Sequence, residues 1–151
     1  MLDNPRVFLD TSALFAGIWS SLGGARLTLK LGEAGAVQLV LNQQVLTEIE
    51  STLGAKAPHN LGALALLLDR SRIHIVQTGE SNLLRAQLLV SHTGDAQVLA
   101  AALESDIDFF VTLDRKHFLD HLMLREQMPF PMGTPGDFLA WYRTRLQDLS
   151  A

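Results

Sequence analysis

The sequence predicts an α/β sandwich built on a parallel sheet. Short continuous apolar runs at residues 6–9, 37–41, 73–76 and 109–112 match strands buried on both faces. Segments of helical periodicity separate them, so strands and helices alternate along the chain. Length points the same way: 151 residues suit one domain, and the chain shows no repeat, linker or low-complexity tract. Residues 1–151 are therefore expected to form one domain.

The first strand ends at Asp10, and Thr11 and Ser12 offer hydroxyls to the start of the next helix. A Gly/Ser-rich break spans residues 17–24. A helix over 25–33 follows, with a basic face at Arg26 and Lys30 and Gly35 as its stop. After the strand at 37–41, Asn42 is a good N-cap for a helix from Gln43 to about Leu53. Beyond Pro58, residues 60–71 read as a buried helix, with Leu61, Leu64, Leu67 and Leu68 at helical spacing. The strand at 73–76 leads to a helix over 82–90. Gly94 breaks the chain before Asp95, which opens a helix to Glu104 with Val98, Leu99, Ala102 and Leu103 on one face. A turn at 106–108 precedes the strand at 109–112, which ends beside Asp114. Residues 118–125 read as helix. Pro129, Pro131 and Pro135 delimit a short fifth strand or extended segment, and residues 136–149 form a terminal helix.

Composition narrows the function. Hydrophobic residues make up 48% of the chain and charged residues 19%, so a core can close without a disulfide or structural metal. The absence of cysteine excludes thiolate zinc sites and cysteine nucleophiles. The longest apolar run, residues 61–68, is too short to span a bilayer, and the N-terminus lacks the pattern of a signal peptide. No membrane association and a cytoplasmic location are the expectation. A net charge of −4 argues against holding nucleic acid through many phosphate contacts. Metal-assisted chemistry on a phosphodiester is compatible with it, because there the cation supplies the positive charge.

In a parallel α/β sheet, ligands gather outside the carboxyl ends of the strands. Asp10 directly follows the first strand, Asp114 lies just beyond the fourth, Glu48 is on the helix after the second, and Asp95 starts the helix leading to the fourth. Sharing one pocket, each like-charge pair at about 4 Å would cost roughly 4 kcal/mol at an effective dielectric near 20. A divalent cation relieves that repulsion, and an all-oxygen donor set favours Mg²⁺ or Mn²⁺. Each carboxylate also has a plainer reading. Asp10 is placed to cap a helix, Asp95 to face a helix dipole, and Asp114 to sit in a turn. Glu48 competes with Glu50, which points about 200° around the same helix.

These residues carry a resemblance. VFLDTSALF (7–15), VLTEIE (45–50), GDAQVLAAA (94–102) and VTLDRKHF (111–118) resemble, in order, the four acidic motifs of PIN-domain nucleases of the prokaryotic type, which include the toxins of toxin–antitoxin pairs. Residues 131–139 resemble the family's closing strand and helix. The resemblance implies a Rossmann-like three-layer α/β/α sandwich and a Mg²⁺- or Mn²⁺-dependent ribonuclease, with Asp10, Glu48, Asp95 and Asp114 as metal ligands. On this reading water attacks the phosphorus, and Ser12 and Thr112 orient carboxylates or waters. Arg115 and Lys116 would contact RNA phosphates or form a solvated turn. The expected assembly is a homodimer, and a toxin would be blocked by an antitoxin over the acidic groove.

Other signals weigh less. His117 and His121 have the i, i+4 spacing of two zinc ligands, but no third ligand is evident in the sequence. Trp19 is expected as a buried anchor rather than a base-stacking platform. The glycines at 17, 23 and 24 form no nucleotide-binding motif. Two rival readings are a noncatalytic PIN-fold scaffold for RNA or protein, and an Asp-nucleophile phosphatase or receiver-like protein. The phosphatase pattern wants a second aspartate where Ser12 stands.

Overall fold

A computed structural model describes residues 4–150. Five strands, β1 (Arg6–Leu9), β2 (Gln38–Asn42), β3 (His74–Val76), β4 (Phe109–Val111) and β5 (Met132–Gly133), form one sheet in the order β3-β2-β1-β4-β5. Every pairing is parallel; Val7 is opposite both Leu39 and Phe109, and Phe8 is opposite both Val40 and Phe110. Helices flank the sheet: α1 (Thr11–Trp19), α2 (Gly24–Glu33), α3 (Gln43–Lys56), α4 (Leu61–Arg70), α5 (Glu80–Leu89), α6 (Thr93–Glu104), α7 (Leu122–Gln127) and α8 (Pro135–Ser150). The architecture is a three-layer α/β/α sandwich.

The central strand β1 is apolar because both its faces are covered: Val7, Phe8 and Leu9 are buried. Successive residues on β4 show the two faces. Phe109 packs on Phe138 and Trp141 of α8, whereas Phe110 stacks on Phe8 and meets Phe118 and Phe130. The chain builds outward from β1 through β2 to β3, then crosses back to lay β4 on the other side of β1. The reversal between β1 and β4 is the switch point at which open α/β sheets bind ligands.

Several boundaries differ from the sequence reading. The expected break at 17–24 shrinks to the residues between α1 and α2, because Gly17 stays in α1 and is buried against α2. A Cβ there would lie 2.6 Å from Leu29 Cδ1 and 3.0 Å from the Ala25 carbonyl oxygen. Gly17→Ala is therefore expected to lower stability by about 1–2 kcal/mol, overpacking outweighing the gain in helix propensity. A urea melt with an unchanged or raised midpoint would contradict the close approach. Gly35 ends the α2 segment as expected, with a left-handed φ of +75°.

Residues 60–71 are not uniformly buried: Leu64 and Leu67 are covered, whereas Leu61 and Leu66 are exposed. The expected helix at 118–125 divides into a π-helical turn (Arg115–Leu119) and α7, with His121 capping the latter through Leu124 N–H. Helix α6 begins at Thr93, two residues before Asp95, because His92 rather than Asp95 is its N-cap. Trp19 is 54% exposed, contrary to the buried anchor expected of it; it stacks on Phe15 at the open end of α1. Among the described residues no helix is long and apolar enough to cross a membrane.

Candidate active site

Asp10 is both a helix cap and a member of the site, so its two readings coexist. Its Oδ1 accepts Ala13 N–H at 3.0 Å, capping α1, and also the Ser12 hydroxyl at 2.7 Å. Its Oδ2 accepts the Thr112 hydroxyl. The same hydroxyls accept from the loop after β4: Leu113 N–H donates to Ser12 Oγ at 3.0 Å, and Asp114 N–H to Thr112 Oγ1 at 2.9 Å. Ser12 and Thr112 thus bridge the Asp10 carboxylate to two consecutive amides, tying the ends of β1 and β4 together. Asp10 is 6% exposed. Burial pushes its carboxyl up to about 6, against the opposing pull of the Ser12, Thr112 and Ala13 bonds, and the charge of Asp114 adds to the rise.

Glu48 is placed by α3, whose N-cap Asn42 accepts Val45 N–H at 2.9 Å. Thr11 Oγ1 donates to Glu48 Oε2 at 2.6 Å, and Gln44 Nε2 donates to Oε1 at 2.6 Å. Glu50 is exposed, as its angle around the helix requires. Asp95 lies in the first turn of α6, where its N–H donates to His92 Nδ1 at 3.4 Å. Burial raises the Asp95 carboxyl; His117 and His92 oppose the rise, and the charges of Asp114 and Glu48 reinforce it. Asp114 caps the π-helical turn through His117 N–H at 3.0 Å.

All four carboxylates line one cavity of about 340 Å³ at the carboxyl edge of the sheet. Among the described residues, none of the four makes an ion pair with lysine or arginine. A crowded, oxygen-rich set without such partners fits a hard divalent cation, which would offset the mutual repulsion.

Two residues lining this region were not singled out for it in the sequence. Lys56 follows Glu48 and Thr52 at i+4 spacing on α3, and all three line the cavity. His117 brings an imidazole nitrogen within 4.8 Å of carboxylate oxygens of Asp95 and Asp114. The i, i+4 pairing of His117 with His121 does not lie on one helix, since the π-helical turn ends between them. A second cavity, of about 530 Å³, shares Asp95 with the first and is also lined by His92, Lys116, His117 and His121. Arg115 and Lys116 part company: Lys116 lines this second cavity, while the largely exposed Arg115 pairs with Asp120 at 3.4 Å.

A family model described as PIN domain matches residues 6–116. No curated protein matches the chain. Among solved structures, the fold is similar to a chain in the crystal structure of VapBC2 from Rickettsia felis bound to a DNA fragment from their promoter. The two share a TM-score of 0.61 and 16% identity over 84% of this chain and 96% of that one, a likeness of fold. Asp10, Glu48, Asp95 and Asp114 all lie inside the matched residues, and the chain belongs to the PIN domain family.

Proposed function

We propose that the chain is a metal-dependent endoribonuclease that hydrolyses RNA phosphodiester bonds, with Asp10, Glu48, Asp95 and Asp114 holding one or two Mg²⁺ or Mn²⁺ ions. The observation that carries this reading is the meeting of four carboxylates from four separate segments in one cavity, without a lysine or arginine ion pair among the described residues. Membership of the PIN family supports nuclease chemistry. A bound divalent cation supplies positive charge for the phosphate and makes water a stronger acid.

The chain's own residues supply positioning. Ser12 and Thr112 hold the Asp10 carboxylate through both oxygens, and Thr11 and Gln44 do the same for Glu48. Lys56, which lines the carboxylate cavity, and Lys116, which lines the adjoining one, would contact the RNA backbone on its path past the carboxylates. Arg115 lies off that path, in its pair with Asp120. Ser12 stands where the phosphatase pattern wants a second aspartate and spends its hydroxyl on Asp10 Oδ1, which disfavours the phosphatase reading.

The proposal extends to a cytoplasmic homodimer acting as the toxin of a toxin–antitoxin pair. The likeness to VapBC2, a pair bound to a fragment of their promoter, supports an antitoxin partner.

The test is calorimetric titration of Mn²⁺ into the protein at neutral pH, with and without an RNA pool, followed by a cleavage assay on that pool. Binding and Mn²⁺-dependent cleavage are expected. No Mn²⁺ binding under either condition would put the noncatalytic scaffold ahead. Lys56→Ala is expected to weaken RNA binding several-fold, flatten its salt dependence by about one phosphate contact, and leave Mn²⁺ affinity unchanged. An unaltered salt slope would take Lys56 off the RNA path.

A further inference from the structure

We propose that His117 is a nitrogen ligand to the cation held by Asp95 and Asp114, and that it makes this site select Mn²⁺ over Mg²⁺. The inference rests on the metal-dependent reading and deepens it.

The local backbone aims the ring into the site. The turn after Asp114 is π-helical, with Leu119 N–H donating to the Asp114 carbonyl at 3.0 Å and Asp120 N–H to the Arg115 carbonyl at 2.7 Å. Such widened turns recur at functional sites. Phe118 and Leu119 are buried beneath this turn, anchoring it, while His117 is left at the mouth of the cleft.

Spacing fits shared coordination. His117 Nδ1 lies 2.9 Å from Asp114 Oδ2, a hydrogen bond that an ion between them would replace, and 3.8 Å from Asp95 Oδ2. Around an octahedral cation with bonds of about 2.1 Å, adjacent ligand atoms lie about 3.0 Å apart and opposite ones about 4.2 Å apart. The shorter separation matches an adjacent pair and the longer one lies between the two values, so one ion can reach all three groups once the side chains adjust. His92 is the other imidazole near Asp95, at 3.6 Å from Oδ2. Among the described residues, His117 is the one imidazole within 4 Å of both carboxylates, whereas His92 reaches only Asp95.

Donor chemistry sets the selectivity. Mg²⁺ prefers oxygen and retains its waters, whereas first-row transition ions accept imidazole nitrogen readily. Replacing one oxygen or water ligand with the His117 nitrogen therefore favours Mn²⁺ over Mg²⁺.

The test uses the full chain with Mn²⁺ and Mg²⁺ alone. Pulsed electron paramagnetic resonance of bound Mn²⁺ is expected to show coupling to a ¹⁴N nucleus in wild type and in His92→Ala, and none in His117→Ala. Calorimetry is expected to show Mn²⁺ affinity falling about tenfold or more in His117→Ala, with Mg²⁺ affinity, read by competition, falling much less. Mn²⁺ binding without nitrogen coupling in wild type overturns the inference while leaving the metal-dependent reading in place. No Mn²⁺ binding to wild type overturns both. Should His117→Ala fail to fold, wild type and His92→Ala decide the matter: coupling that persists in His92→Ala supports His117, and coupling lost there assigns the nitrogen to His92 and overturns the inference.

Discussion

Asp95→Asn is expected to abolish detectable Mn²⁺ binding and to slow RNA cleavage by roughly a thousandfold or more, a loss of about 4 kcal/mol of transition-state stabilisation. The carboxylate shares a cavity with Glu48 and Asp114 and offers an oxygen within 4.8 Å of ligand atoms of Asp114 and His117, so its removal takes a ligand from that set. The fold should survive. Asparagine is nearly the same shape, and the cap on α6 uses the Asp95 backbone N–H, which the substitution keeps. Burial disfavours the charge that is removed, so the metal-free variant should melt at or above the wild-type temperature. Calorimetry, a gel-based cleavage assay and a thermal melt check the three parts. Wild-type cleavage by the variant would remove Asp95 from the mechanism.

The second large effect is on stability. Metal-free wild type should lose stability as pH rises from about 4 to above 6, and Asp10→Asn should remove most of that decline. Asp10 has its folded pKa raised from 3.8 to about 6. Between those values the native state holds a proton that the unfolded chain has released, so the slope of stability with pH is negative there. A shift of about two units corresponds to about 3 kcal/mol, lost once pH passes through the folded value. The raised Asp95 contributes with the same sign.

The amide introduced by Asp10→Asn carries no charge to bury. Its carbonyl still accepts from Ser12 and Ala13, but its NH₂ group faces Thr112, whose hydroxyl must turn from donor to acceptor. Allowing about 1 kcal/mol for that rearrangement, Asp10→Asn should stabilise the metal-free protein by about 2 kcal/mol near pH 7. Mn²⁺ should stabilise wild type at that pH and, below about pH 6, release protons as it binds, and do neither in the variant. Denaturant melts in chelator across pH 4.5–7.5 test the argument. Parallel pH profiles for the two proteins would refute it.

Much of the site was legible because its main residues sit where chain direction changes. Asp10 and Asp114 follow buried strands, and a residue leaving a parallel strand at its carboxyl end emerges at the ligand-binding edge whatever the details of packing. Asn42 was readable as a cap for the same local reason, and it brings Glu48 into place through the helix period. Residues whose position depends on which element packs next were not readable. Lys56 joins the site only because α3 turns the Glu48 face toward the cavity along its length. Trp19 is exposed at the last position of α1, stacked on Phe15, which composition does not reveal.

His117 shows where local reasoning stops. Its spacing to His121 suggested a shared helix face, but that inference assumes an α-helical period, and a π-helical turn ends before His121 is reached. Local patterns and chain direction determined the alternation of strands and helices and the parallel sheet, which follow from burial on both strand faces and from helix periodicity, and made the four acidic positions candidates. The tertiary structure alone decided that Ser12 and Thr112 tie β1 to β4 through Asp10, and that His117 meets Asp95 and Asp114. Those contacts join residues as far as 102 positions apart, and only the crossover that sets β4 beside β1 brings them within reach.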